Sequence, residues 1–448
     1  MLSPGDRDRA RRIKFGAAGL ALCGFGLTLL IFYPGIMTYD AKFVYEDIAK
    51  NALGDWQSPV MTVLWRVIDP VAPGSASMFL LIATLYWAAF GLLALSLATR
   101  APSVSLLLPI LALMPPAFFL VGIVWRDVLF AAAWLLAGSV AFAATQRPAS
   151  LRWPLQALAL ALCAFGFLLR PNALIAVPLL SAYILCPDKF NWKRTTIAFV
   201  PSMIVYFVLL QLVYYGALDA KRQHPLQSIM VFDLGGITYF AQQNQFPVTW
   251  SEPRLALLLN DCYKPTEWDI YWTREPCQFV MQKLEKEEGL FGTPAITNAW
   301  LQAIARHPIA YVQHRAAFVW NFLAGTNLTM WMIDIENPTK TPFADRASFA
   351  AVRSIHDVLE PTPLFRSGTW LLACFAVCVL AWRQRDTAYG AYAVGISGSA
   401  AVYVLTFFAV GVASDFRYAY CAVLASLAGG AMIAAGAITR QPAKTAPS

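Results

Sequence analysis

The chain has 448 residues, of which 58% are hydrophobic and only 13% charged, with a formal net charge of +8. Soluble domains carry about 25% charged residues, so this composition excludes an ordinary soluble protein and indicates a polytopic membrane protein. The net positive charge is typical of cytoplasmic loops in such proteins. Because no basic stripe with interleaved aromatic residues stands out, it does not indicate nucleic-acid binding.

Apolar runs long enough to cross a bilayer recur along the chain. The first follows a basic N-terminal segment, is long for the core of a signal peptide and is followed by no small-residue cleavage site, so we expect an uncleaved transmembrane helix. Pro115-Pro116 predicts a kink in the third run. Ten runs are predicted to span, at about 15–33, 76–98, 104–122, 128–145, 154–169, 171–186, 195–216, 365–382, 388–411 and 418–437.

The positions of lysine and arginine predict the orientation. Five basic residues before position 15 place the N-terminus in the cytoplasm. With ten spans, all the remaining cytoplasmic segments, including the C-terminal tail, also carry positive charge. The run 309–325 is apolar enough to suggest an eleventh span. Because it carries His314 and Arg315, we expect an amphipathic helix on the outer leaflet or against the bundle.

The predicted fold is therefore an all-α polytopic membrane protein of about ten transmembrane helices. A mixed periplasmic domain is expected between the seventh and eighth helices. The predicted units are 1–216, which includes the first outer loop 34–75, then the periplasmic domain 217–364, and then 365–448 with a short cytoplasmic tail. This arrangement predicts a multi-pass protein of a bacterial inner membrane.

Two cysteines predict a disulfide. Six of the eight cysteines lie in or beside apolar runs, where they act as small hydrophobic residues. Cys262 and Cys277 instead lie in the long polar segment, in a compartment that is oxidising under the predicted topology. A bridge between them would add roughly 3 kcal/mol of stability in the chain-entropy model.

Charged clusters fall at the outer ends of the predicted helices, where a bundle could gather them around one pocket. Asp40 follows the first helix directly, and a carboxylate at a membrane surface is usually there for chemistry or transport. It could deprotonate an acceptor hydroxyl, and nearby arginines could bind a phosphate. The plainer alternative is capping of helix ends and local pairing. The clusters are Asp40 with Asp47 and Asp55, Arg126-Asp127, Arg170, and Asp415 with Arg417 and Tyr418.

Other polar positions point to simpler roles. Glu46, Asp47 and Lys50 fit a surface helix, and Asp55 is expected either to bind a metal or to cap the next helix. The four histidines show no ligand spacing, which argues against a zinc site. The chain has no Walker loop, GxGxxG or GxSxG motif, which argues against a nucleotide-driven pump, a dinucleotide enzyme or a common hydrolase.

Five short motifs carry a family resemblance. In order and sidedness they resemble the GT-C superfamily of membrane glycosyltransferases, which place a catalytic Asp just after the first helix. Gln57-Ser58-Pro59 stands where relatives often have His-Pro, so no role of that histidine transfers. The matching stretches are 33–40 (YPGIMTYD), 55–59 (DWQSP), 125–127 (WRD), 169–172 (LRPN) and 415–418 (DFRY).

The resemblance implies an inverting transfer from a polyprenyl-phosphate-linked sugar. Asp40 would be the general base, and Arg417, with Arg170 or Arg126, would bind the donor phosphate. Asp55, Asp127, Asp415 and Tyr418 would support them. A glycan, a lipid or a protein of the cell envelope would be the acceptor. Some members of the superfamily use a divalent cation, and the sequence leaves that need open.

Two other functions stay open from the sequence. One is a transporter or flippase for a lipid-linked saccharide, although transporters usually place ionisable residues near the bilayer midplane and often show inverted repeats. The other is a membrane scaffold or assembly factor in which Asp40 only caps a helix. The scaffold hypothesis predicts that Asp40→Asn leaves function intact.

Overall fold

The computed structural model describes residues 4–50, 52–325 and 347–440, and in this part of the chain every regular element is helical. The first ten α-helices are α1 Pro4–Phe32, α2 Tyr39–Lys50, α3 Pro59–Ile68, α4 Ser75–Leu97, α5 Pro102–Leu111, α6 Pro115–Val121, α7 Arg126–Ala144, α8 Ala149–Leu169, α9 Val177–Leu185 and α10 Trp192–Gln211. The others are α11 Leu226–Ala241, α12 Glu252–Asn260, α13 Phe279–Met281, α14 Pro294–Arg306, α15 Pro308–Ala324, α16 Ala347–Leu359, α17 Ser367–Trp382, α18 Ala388–Val410 and α19 Tyr420–Arg440.

The described residues contain seven helices that are long and apolar enough to cross a membrane. An eighth span results if α5 and α6 are counted as one, since they meet at a 56° bend. The break between them ends at Pro115-Pro116, as predicted, because proline cannot continue the hydrogen bonding of the preceding turn. The chain is therefore a multi-pass integral membrane protein.

The expectation of about ten spans was too high. All ten predicted runs contain helix, but two of them are short. In the run 171–186 a 3₁₀ turn follows Pro171, which leaves only the nine-residue α9, about 14 Å long. Helix α17 has sixteen residues and extends about 24 Å. Neither length matches the roughly 30 Å of a bilayer core.

The expectation of a mixed domain at 217–364 was also wrong in its described part, which has no β-strand. Its aromatic and polar patches form short helices and turns, joined to the bundle by isolated bridges. Helix α15 corresponds to the run 309–325, which was considered as an eleventh span. It packs against α11, α17 and α18, which fits the expected position against the bundle. Residues 326–346, and the predicted cytoplasmic tail from position 441 on, lie outside the described residues.

Helix α7 is the centre of the bundle. It packs against α4, α8, α18 and α19, and its alanine-rich sequence favours both helix formation and close helix approach. Its N-terminus, at Arg126, lies where the first loop, the end of α8 and the start of α19 converge. The position of α7 therefore brings together charged residues that are far apart in sequence.

The predicted disulfide between Cys262 and Cys277 is present, with a Cα–Cα distance of 5.5 Å. We expect Cys277→Ser to lower the free energy of unfolding by about 3 kcal/mol, because the open loop gains entropy in the unfolded chain. Thermal unfolding in detergent, with and without reductant, measures this difference. Cys23→Ser, at an exposed free cysteine, is the control. Equal stability of both variants would contradict the expectation.

Candidate active site

Asp40 lies in the first turn of α2, directly after the chain leaves α1. Thr38 caps this helix, since its hydroxyl accepts a hydrogen bond from the Ala41 amide at 3.4 Å. The same hydroxyl accepts the Trp125 indole N–H at 2.8 Å. A carboxylate in this position is stabilised by the N-terminal end of the helix dipole. The Asp40 side chain remains 42% exposed, so it is accessible from the cleft it faces.

A short backbone pairing fixes the first loop beside α7. The Ile36 amide donates to the Gly122 carbonyl at 2.8 Å, and the Val124 amide donates to the Ile36 carbonyl at 2.9 Å. These two hydrogen bonds lie a few residues before both Asp40 and Arg126. They therefore place the carboxylate of Asp40 and the guanidinium of Arg126 at the same cleft.

Arg417 is the direct partner of Asp40. Its Nη1 lies 2.6 Å from Asp40 Oδ2, and its Nε lies 3.3 Å from Asp415 Oδ2. The guanidinium also lies over two aromatic rings, 4.8 Å from the centre of Trp125 and 5.2 Å from that of Tyr418. These contacts fix the orientation of the guanidinium, so one charged edge faces Asp40.

Arg170 is paired elsewhere. It forms a salt bridge with Asp127, and both side chains are buried. Its guanidinium lies 5.2 Å from the centre of the Tyr418 ring, which Arg417 also contacts. Because a buried ion pair is costly to break, Arg170 is committed to Asp127 in this structure.

Arg126 is the arginine that stays available. Its Nη1 donates to the Trp56 carbonyl at 3.2 Å, and no carboxylate of the described residues lies within salt-bridge distance of it. Together with Asp40, Asp127 and Arg417 it lines one cleft. The cleft therefore presents one partly exposed carboxylate beside two guanidiniums.

The electrostatics separate the two acids that contact Arg417. Partial burial alone would raise the pKa of Asp40, but the positive charges of Arg417 and Arg126 hold that pKa below its usual value. Burial raises the pKa of Asp415 to about 6, against the opposing effect of Arg417. Asp40 is therefore ionised at neutral pH, while the pKa of Asp415 lies about one pH unit below neutral.

Asp55 does not cap the next helix. It accepts the Tyr215 hydroxyl at 2.8 Å and the Gln223 amide at 2.6 Å, so it ties the first loop to the chain after α10. Helix α3 is capped by Ser58 instead, whose hydroxyl accepts from the Met61 amide. The surface-helix expectation holds on α2, where Lys50 and Glu46 pair at 2.9 Å.

Two buried or partly buried carboxylates, Asp269 and Asp233, were not predicted from the sequence. Asp269 lies close enough to Asp40 that the two carboxylates interact; burial, followed by this repulsion, raises the pKa of Asp269 to about 6. Asp233 is fully buried and binds His314 at 3.1 Å and Arg315 at 2.7 Å. Arg315 in turn donates to the Gly411 carbonyl, just before the loop that carries Asp415. These pairings could not be predicted from the sequence, because Asp233 lies in an apolar run and Asp269 in an aromatic run.

No family model matches the chain, and no curated protein matches it. Among solved structures, the fold is distantly similar to the crystal structure of the oligosaccharyltransferase of Archaeoglobus fulgidus tethered to an acceptor peptide. The TM-score is 0.37 at 11% identity, over 93% of this chain and 49% of that chain. The chain thus spans about half the length of that protein, and a likeness at this level carries no argument about chemistry.

Proposed function

We propose that the protein is an inverting glycosyltransferase that transfers a sugar from a polyprenyl phosphate to an acceptor hydroxyl at the periplasmic face of a bacterial inner membrane. The acceptor is a glycan, lipid or protein of the cell envelope. One observation carries the proposal: Asp40, an accessible ionised carboxylate, shares a cleft with Arg417 and Arg126. A base beside two phosphate-binding cations is what this reaction needs.

The proposed chemistry is a single displacement. Asp40 takes the proton of the acceptor hydroxyl, and the acceptor oxygen forms the new bond at the anomeric carbon. The bond from that carbon to the lipid phosphate breaks, and its electron pair leaves on the phosphate oxygen. Arg417 and Arg126 stabilise the charge that develops there.

The contact between Arg417 and Asp40 gives the donor a second effect. In the free protein this ion pair weakens Asp40 as a base, since it lowers the pKa of the carboxyl group. A donor phosphate that binds the Arg417 guanidinium competes for the same positive charge. Donor binding therefore increases the basicity of Asp40 at the moment when a base is required.

The cleft is a poor fit for a divalent cation. Of its two carboxylates, Asp127 forms a buried ion pair with Arg170, which leaves one carboxylate, Asp40, for a cation. Within the described ranges, no three histidine, cysteine, aspartate or glutamate side chains converge on one point. We derive no step through a cation, and the arginines carry the phosphate charge in this proposal.

Loss of the gene tests the proposed function. We expect the envelope glycans, lipids or secreted proteins of a deletion strain of the source organism to lack one sugar mass, which returns on complementation with the wild-type chain. The lipid-linked form of that sugar should accumulate in the deletion strain. Mass spectrometry of both fractions measures the two effects, and an unchanged set of sugar masses in all three acceptor classes would contradict the proposal.

Arg126→Gln tests the donor site. We expect the affinity for undecaprenyl phosphate to fall by about tenfold to a hundredfold, because a hydrogen bond to a charged group contributes about 1.5–3 kcal/mol. Native mass spectrometry of the detergent-solubilised protein measures the bound lipid. Arg385→Gln is the control, because Arg385 lies just after α17, where its guanidinium contacts the carbonyl and the ring of Trp382. Equal loss in both variants would indicate non-specific lipid binding.

A further inference from the structure

Three tryptophans form a cluster next to the cleft, and the mechanism does not use them. The ring centres of Trp56 and Trp268 are 5.6 Å apart, those of Trp268 and Trp272 are 6.0 Å apart, and those of Trp56 and Trp272 are 6.3 Å apart. Trp268 is buried, whereas Trp272 is 39% exposed. The cluster therefore presents aromatic ring surface at the exterior of the protein.

The cluster is attached to the catalytic elements on two sides. Arg126 donates to the carbonyl of Trp56, and the next residue, Gln57, lines the cleft. On the other side the Trp268 amide donates to the Val412 carbonyl at 2.9 Å, three residues before Asp415. The rings are thus held at the border of the cleft that contains Asp40.

A carboxylate without a hydrogen-bond partner accompanies the rings. Asp269 follows Trp268 in a 3₁₀ turn, and no side-chain hydrogen bond to it is found within the described residues. The groups that act on it electrostatically are the acids Asp40 and Glu267 and the cations Arg274 and Arg417. A partly buried carboxylate without a protein hydrogen bond keeps its oxygens free to accept hydrogen bonds from a ligand.

We propose that Trp56, Trp272 and Asp269 form a saccharide-binding site for the acceptor, so that the acceptor hydroxyl belongs to a sugar ring. This inference rests on the proposed function and narrows its acceptor class. The C–H groups of a pyranose carry partial positive charge and pack on the negative faces of aromatic rings. Its hydroxyl groups are donors that match the two acceptor oxygens of Asp269.

The same chemistry disfavours other occupants. An acyl chain would cover the tryptophans but leave the carboxylate unpaired, which costs free energy. A peptide could stack on the rings, yet its backbone would offer one donor per residue in place of the dense hydroxyls of a sugar. A membrane-interface anchor is a further role for exposed tryptophan, and the experiment below separates it.

The test measures binding of oligosaccharides released from the envelope of the source organism by mild acid, delipidated and fluorescently labelled. We expect saturable binding to the full chain in detergent, about tenfold weaker in Trp272→Ala and largely retained in Trp272→Phe. Trp153→Ala, at an indole 68% exposed near the start of α8, is the matched control. Undecaprenyl phosphate binding should be unchanged in all three variants.

Each outcome decides the inference. No saturable binding of the oligosaccharide pool, or equal binding by wild type and Trp272→Ala, would overturn it. Binding of labelled peptides from secreted proteins with the same dependence on Trp272 would replace the saccharide by a protein acceptor. Equal binding is also the result expected if the cluster serves only as a membrane-interface anchor. Retained binding of undecaprenyl phosphate in these cases leaves the proposed function standing.

A pH series adds an independent readout. Burial and the neighbouring acids raise the pKa of Asp269 to about 6, so its carboxyl is protonated below that pH and loses acceptor capacity. Affinity for the oligosaccharides should therefore fall as the pH is lowered through 6. Asp269→Asn should remove this dependence. A persistent dependence would assign it to Asp415, whose pKa also lies at about 6.

Discussion

Asp40→Asn is expected to reduce sugar transfer by at least about a hundredfold, because general base catalysis contributes about 10²–10⁴ in rate. The amide keeps the size of the side chain but cannot accept the proton. The free protein has its base ionised at neutral pH, since Arg417 and Arg126 hold the pKa of Asp40 low. Transfer of radiolabelled sugar from the lipid that accumulates in the deletion strain measures the rate.

Asp47→Asn is the matched control for this prediction. Asp47 lies on the same helix as Asp40 and does not line the cleft, so transfer should be unchanged. Undecaprenyl phosphate binding should survive in Asp40→Asn, which shows that the variant is folded. Full transfer by Asp40→Asn would contradict the base assignment. It would favour the transporter or the scaffold, neither of which needs this carboxylate for proton transfer.

Arg170→Met is expected to lower the free energy of unfolding by about 3–5 kcal/mol, because it leaves the buried Asp127 without its ion-pair partner. The sequence placed Arg170 among the candidate donor ligands. The structure favours a structural role, since both side chains of the pair are buried. Thermal unfolding in detergent measures the loss of stability.

The double variant Asp127→Leu/Arg170→Met makes this prediction sharper. Replacing both charges by apolar side chains of similar size is often close to neutral, so the double variant should regain most of the lost stability. Undecaprenyl phosphate binding should then be within a few-fold of wild type. If Arg170→Met instead unfolds normally and loses lipid binding, Arg170 is a donor ligand and Asp127 only positions it.

The motifs at the ends of the apolar runs were enough to predict that charged residues gather at one end of the bundle. Asp40, Arg126 and Arg417 each follow or begin a helix at the same end of the bundle, and the structure places all three at one cleft. Hydropathy and charge sidedness are properties of single helices, so they can be read without knowing how the helices pack. The same locality explains the confirmed disulfide and the kink at Pro115.

Which side chains pair with each other could not be predicted from single helices in this way. That Arg170 binds Asp127 rather than a phosphate, and that Asp55 ties two loops together, depends on distances between segments more than 40 residues apart. The expected mixed domain failed for a related reason. Its aromatic and polar patches do not specify the type of element by themselves, and in the described residues they form short helices and turns.

The sequence alone determined a helical membrane protein with a charged cluster at one end of its helices, because the cost of placing charge in a bilayer restricts where such residues occur. Only the tertiary structure decided which arginine is available, that burial raises the pKa of Asp269 and of Asp415 to about 6, and that three tryptophans meet beside Asp40. The tryptophans are Trp56, Trp268 and Trp272. These properties arise from burial and from distances between distant segments, and a linear pattern carries neither.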